Sequence, residues 1–301
     1  MAESSLQGLY TQQALAACEK ALRTLLTKIG PWGGRIFLIG GMTPRYLIGN
    51  APSDMKEHVG TTDLDVVVGV TISTEEREVY RTLQNNLKDA GFVPAVDPET
   101  RQEQSFRWSR DVDGVRVMLE FFCPVGEGQP GTMLRNPGDQ VGSKISAIRM
   151  TGAELVALDH FTVRLKGDTL DDGGIQEGVD VHIANLLPFL VLKAFAIEER
   201  DKDKDSYDVV WTLNAYPGGV GGAVRAISES PVLAHRDVAT AVELLRKNFL
   251  SIDHRGPSQY ARFERTDNTE EERLILRRFA HGTLLEFFLH WDRIAREPSR
   301  N

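Results

Sequence analysis

The chain has 301 residues, 41% of them hydrophobic and 26% charged, with a formal net charge of −8. This is the make-up of an ordinary soluble globular protein of one large or two smaller domains, and no apolar stretch reaches the roughly 18 residues that span a bilayer. The acidity weighs against a broad nucleic-acid footprint but leaves room for a local basic patch.

Cys18 and Cys123 show no metal-ligand spacing and are expected as buried thiols in a reducing compartment. Met1-Ala2-Glu3-Ser4-Ser5 carries no basic region and no apolar signal core, so the expected location is cytoplasmic, with no membrane partner. Leu15, Leu22, Leu25 and Leu26 recur at helical spacing and predict an amphipathic helix that ends near Gly30-Pro31. Residues 36–39 predict a strand, Gly40-Gly41 a turn, and 42–48 a helix that tolerates Pro44 in its first turn. A polar loop over 52–60 leads to a second strand at 63–69. A helix is expected from a cap at Ser73 or Thr74 to about Ala90, with Gly91 just past its end. Residues 105–110 and 115–122 flank Asp113-Gly114, a hairpin-turn signal. A Gly/Pro-rich loop over 126–142 and a polar stretch follow. Next come a short helix at 151–159 and strands at 161–165 and 179–183, separated by an acidic loop at 168–178. From Asn185 the pattern is mostly helical, with helices near 238–248 and 270–295. The fold class is therefore α/β (α+β). A mixed β-sheet domain with flanking helices spans 1–184, and a mostly helical domain spans 185–301.

Chemistry concentrates in two places. Side chains two apart on a strand share a face, so Asp63 and Asp65 project together while Leu64 and Val66 face the other way. Two adjacent carboxylates repel each other and favour a hard dication between them. Such a cation can clamp a polyphosphate. Gly40 and Gly41, lacking Cβ, let backbone N–H groups approach an anion at the start of the next helix. On the second hairpin strand Val115, Val117, Leu119 and Phe121 share one face and Arg116, Met118 and Glu120 the other, which makes Glu120 the candidate third carboxylate. The second place is 192–208. Lys193 sits inside the apolar run 186–197, where an unpaired ammonium is costly. Lys193 and Arg200 lie two helical turns apart, and Lys204 and Asp208 follow at intervals of four. A helix break near 201–203 would leave the alignment beyond Arg200 to tertiary structure. Spacing alone favours a solvated face of alternating charges, and Arg273, Arg277 and Arg278 read the same way.

The order Gly40-Gly41, helix, then Thr61-Thr62-Asp63-Leu64-Asp65 on a strand resembles the signature of the DNA polymerase β-like nucleotidyltransferase superfamily. With Lys193 and Arg200-x-x-x-Lys204-Asp205-x-x-Asp208 added, the chain resembles the AbiEii/MenT-like toxin branch over roughly residues 30 to 215. Two departures stand out. The branch usually reads Gly-Gly-Thr-Ala-Leu-Ala where this chain has Gly40-Gly41-Met42-Thr43-Pro44-Arg45, and the arginine that precedes its Asp-x-Asp is missing from His58-Val59-Gly60-Thr61.

The resemblance implies a nucleotidyltransferase-type sheet domain and transfer of NMP from an NTP with release of pyrophosphate. Mg²⁺, or Mn²⁺, would be held by Asp63, Asp65 and Glu120. Gly40, Gly41 and Thr43 would receive the terminal phosphates, with Thr61 and Thr62 beside the aspartates. Lys193 would neutralise the leaving group. Arg200 and Lys204 would grip the triphosphate or an acceptor phosphate from the rim of the cleft, and Asp208 would orient one of these cations. The implied acceptor is RNA, especially a tRNA 3′ end. The implied setting is a toxin–antitoxin or abortive-infection system with a cognate antitoxin. The alternatives are a small-molecule nucleotidyltransferase using the same three carboxylates and a non-catalytic nucleotide-binding regulator. On this reading Lys193 reaches the carboxylates' cleft, and its loss weakens NTP use more than stability.

Overall fold

The structure, a computed structural model, describes residues 12–29, 34–68, 77–135, 145–169, 175–264 and 269–296. The expected helix end at Gly30-Pro31 and the caps at Ser73 and Thr74 lie outside these residues, as do parts of the loops at 126–142 and 168–178. Two compact units form. One is Ser5–Thr43 with Val59–Ala184, and the other takes Pro44–His58 together with Asn185–Asn301.

The first unit contains α1 (Gln12–Lys28), β1 (Ile36–Ile39) and a 3₁₀ turn over Gly40–Met42; the chain then enters α2 (Thr43–Ile48), whose residues from Pro44 onward belong to the other unit. Then come β2 (Asp63–Val68), α3 (Arg77–Asp89), β3 (Val93–Val96), β4 (Glu103–Val112), β5 (Val115–Pro124), β6 (Met133–Arg135) and β7 (Ser146–Met150). α4 (Ala153–Leu158), β8 (His160–Asp168) and β9 (Ile175–Ala184) complete it. The nine strands form one mixed sheet in the order β3-β4-β5-β2-β1-β9-β8, with β7 pairing β5 and β6. β2 runs parallel to β5 and antiparallel to β1.

Strand alternation gives this sheet two chemically distinct faces. Leu64, Val66, Leu119, Phe121, Val181 and Ile183 are all buried, and α1 packs across β2, β5, β8 and β9 with Leu15, Leu22 and Leu25 buried in turn. Each such side chain contributes about 1.5–3 kcal/mol by leaving water. The other alternation carries Asp63, Asp65 and Glu120. Asp113 and Gly114, at φ +50° and +81°, make the two-residue turn that right-handed strand twist favours. Gly91, at φ +73°, ends α3 and donates its N–H to Lys88 O.

The strands β3, β6 and β7 are additions to what periodicity predicts. β3 contains Pro94 and β6 is three residues long, so neither offers a readable alternation.

The helical unit contains α5 (Leu186–Glu199), α6 (Asp203–Ala215), α7 (Gly219–Ser228), α8 (Arg236–Asn248), α9 (Arg255–Glu264) and α10 (Glu270–Arg296). Asn185 caps α5 by accepting from Leu186 N. Residues 186–194 of α5 are all buried, Lys193 among them. The helix does break here: Arg200 is extended, and α6 restarts at Asp203 with two acids in its first turn, where the helix dipole favours them. Among the described residues no helix is long and apolar enough to cross a membrane.

Candidate functional site

In the sheet unit the β2·β5 register pairs Asp65 with Glu120 and Asp63 with Met118. Directly paired residues of neighbouring strands point to the same face, so Asp63, Asp65 and Glu120 share one face, with Glu120 beside Asp65. The antiparallel β1·β2 ladder sets Ile39 next to Asp65, so the chain leaves β1 into Gly40 at the level of that carboxylate. Gly40 has φ +72°, and a Cβ built there would lie 2.0 Å from Asp65 Oδ2. Only glycine meets both demands, a left-handed backbone and contact with a carboxylate.

The residues before Asp63 shape the turn into the strand. Thr61, buried, accepts the Asp63 N–H on its Oγ1 at 3.1 Å and the Cys18 thiol on its carbonyl at 3.3 Å. Thr62 Oγ1 lies 3.5 Å from Asp63 Oδ1, and its carbonyl accepts from Met118 N at 3.1 Å. Thr61 and Thr62 thus fix the aspartates and tie β2 to β5. The Cys18 thiol is pushed up to about 12 by burial, then by the nearby charges of Asp63, Asp65 and Glu19. It stays a neutral donor beneath the carboxylates. Thr43 donates its N–H to Gly40 O. Its side chain is fully buried, and Oγ1 has no hydrogen-bond partner among the described residues.

Glu120 has a partner that the sequence reading missed. Arg107 on β4 pairs across the hairpin with Glu120 and meets its Oε1 at 2.5 Å through Nε and Nη2. The signal was present: a two-residue turn at Asp113-Gly114 sets Val112 opposite Val115 and, five pairs on, Arg107 opposite Glu120.

The Lys193 to Asp208 segment makes a buried ionic cluster inside the helical unit. Lys193 Nζ lies 2.7 Å from Asp205 Oδ1 and 2.6 Å from Asp208 Oδ2. Lys204 Nζ donates to Asp208 Oδ1 at 2.6 Å, and Arg200 bonds Asp205 through Nε at 2.7 Å and Nη2 at 3.0 Å. His58 Nε2 completes it, 2.9 Å from Asp208 Oδ1. Asp205 and Asp208 are fully enclosed, and Lys193 and Lys204 are only 6% and 3% exposed. Burial opposes every charge here. For Lys193 the two aspartates outweigh it and its pKa is raised, whereas for Lys204 burial dominates and the pKa is lowered. Burial also penalises the carboxylates, yet Lys193 and Arg200 bring Asp205 down to about 2, and Lys193 and Lys204 hold Asp208 well below the usual range. His58 is lowered to about 4, chiefly by burial, so at neutral pH it donates its Nε2–H to Asp208 as a neutral ring.

Lys193 therefore finds its anionic partners within its own unit. Lys204, expected at a rim, is enclosed by Asp208, and only the half-exposed Arg200 keeps part of its guanidinium in water. Asp205 and His58 complete the cluster and were absent from the residues predicted for a site. Asp205 follows Lys204 directly and lies three residues before Asp208 on α6, so the two aspartates share a helical face.

No protein-family model matches the chain, and no curated protein matches it.

Proposed function

We propose that this chain is a divalent-metal-dependent nucleotidyltransferase whose sheet unit is of the nucleotidyltransferase type. The observation that carries the reading is the β2·β5 register, which sets Glu120 beside Asp65 with Asp63 two residues upstream on the same face. Three carboxylates gathered on one face fit a hard dication, and Gly40 keeps clear the space beside Asp65 that a Cβ would fill. Mg²⁺ or Mn²⁺ bound there would supply the charge that neutralises a triphosphate. Asp63 and Asp65 would hold it, and Glu120 would exchange its bond to Arg107 for a share in it. Arg107 then stands as a planar cation at the edge of the carboxylate face, suited to a phosphate.

The acceptor proposed is RNA, a tRNA 3′ end first, with the protein acting as the toxin of a toxin–antitoxin or phage-defence pair. This part rests on the likeness of the Lys193 to Asp208 segment to the AbiEii/MenT-like branch. A small-molecule acceptor is the second reading, favoured by the net charge of −8 and by the enclosure of Lys193 and Lys204 in ion pairs. The two separate when the protein is incubated with each α-labelled NTP, Mg²⁺ and total RNA, and the products are sized. Label in tRNA-sized material supports the RNA acceptor. Label confined to small products moves the assignment to the second reading, and no label with any NTP rejects nucleotidyl transfer.

A further inference from the structure

α10 buries one face within the chain and, among the described residues, leaves a second set of apolar side chains largely exposed, of which Phe279 also packs on Tyr260 of α9 with ring centroids 5.9 Å apart. Ala280, Thr283, Leu284 and Phe287 are buried on one side. On the other, Ile275, Phe279, Leu285 and Leu289 are 58%, 47%, 46% and 64% exposed. At 100° per residue these four fall within an arc of about 120°, the width of a packing face, which they share with the exposed Arg278 and Glu286. Gly282 lies in the middle of the arc, seven residues from Ile275 and seven from Leu289. It is exposed, and a Cβ there would meet open space. Nothing around it in the described structure demands a glycine, and glycine weakens a helix interior. Glycine at the centre of an apolar stripe does let a second helix come close.

Charge selects the occupant. The first turn of α10 is Glu270, Glu271 and Glu272, while Arg293 stands exposed at the other end. A parallel copy would stack like ends together. An antiparallel copy centred on Gly282 sets Ile275 level with Leu289 of the second copy and Glu271 level with its Arg293. It also opposes the two helix dipoles. The stripe is thus self-complementary under a two-fold axis, as an isologous interface must be. We propose that α10 is the self-association face of this protein and that two copies dock antiparallel through Ile275, Gly282 and Leu289.

The test is the mass of the full chain by light scattering over a concentration series, with a disulfide trap for orientation. Cys18 and Cys123 are buried and do not interfere. The expected result is a concentration-dependent dimer whose dissociation constant rises about tenfold or more in Leu289→Asp, a loss of at least one factor of ten in binding. An equimolar mixture of Ile275→Cys and Leu289→Cys chains should cross-link readily. Ile275→Cys alone should not, because its two copies would lie about 21 Å apart along the helices. A single-chain mass at all concentrations overturns the proposal, and so does self-cross-linking of Ile275→Cys as efficient as that of the mixture.

Discussion

At the residue scale, Gly40 and Lys193 show how one side chain fixes its surroundings. Gly40→Ala would force a Cβ into the left-handed region, costing about 1–2 kcal/mol, and against Asp65 Oδ2 besides. The expected outcome is a lowered Tm and a displaced Asp65, seen as weakened Mg²⁺ binding by calorimetry. Unchanged stability and metal binding would show that the close approach is unimportant. Lys193→Ala leaves Asp205 and Asp208 buried with one cation fewer, and breaking such a cluster costs on the order of 3–5 kcal/mol. Chemical denaturation should read that loss directly. The ion pairs thus give this substitution a large stability cost, whereas the sequence-based expectation set its effect on NTP use above that on stability. The sequence made Asp63, Asp65 and Gly40 legible because their order and spacing are local. It did not make the partners of Lys193 legible, because they depend on where α5 stops, and 199–203 contain neither glycine nor proline to mark the break.

At the element scale, the segment Pro44–His58 is tied to α6 by two polar contacts. His58 donates to Asp208, and Trp211 Nε1 donates to Lys56 O at 3.0 Å. The His58 ring also packs edge-on to Trp211, with centroids 4.8 Å apart. Burial keeps His58 neutral down to about pH 4, whereas an unfolded histidine takes up its proton near 6.5. The unfolded chain therefore binds more protons between these values, and stability falls as pH drops from about 6.5 to about 4. The full loss is on the order of 3 kcal/mol. Thermal melts across this window should slope downward toward acid, and His58→Gln should flatten the slope. An unaltered slope in that variant would assign the pH dependence to other groups. Such a tie is invisible in periodicity, since 52–60 read only as a polar loop. The hairpin around Asp113-Gly114 was legible, and its turn chemistry also fixed the Arg107–Glu120 pair. β6 and β7 were not: Arg149 of β7 supports the Gly128 turn by tertiary contact, and alternation over five residues is too short to read.

At the scale of the whole molecule, the two units are not two consecutive stretches of chain. Pro44–His58 belongs with Asn185–Asn301, so a fragment cut at the 184/185 boundary lacks His58 and Lys56. Asp208 and Trp211 would each lose a partner. A 185–301 fragment should then be less stable to denaturant than the same unit within the full chain, by roughly 1–3 kcal/mol for the orphaned buried groups. Equal stability would show that the segment contributes nothing. The helical change at Asn185 was visible in composition; the return of 44–58 to that unit is a long-range contact that no local pattern records.

The function proposed for the face bearing Asp63, Asp65 and Glu120 is nucleotidyl transfer. Its most direct test is Mg²⁺-dependent release of pyrophosphate from NTPs in the presence of total RNA, compared between the native chain and Asp65→Asn with both folds checked by melting. Release by the native chain is expected, abolished by chelation and reduced at least about a hundredfold in the variant, the scale expected when one preorganised electrostatic group is lost. A folded Asp65→Asn chain that releases pyrophosphate at the native rate would contradict it.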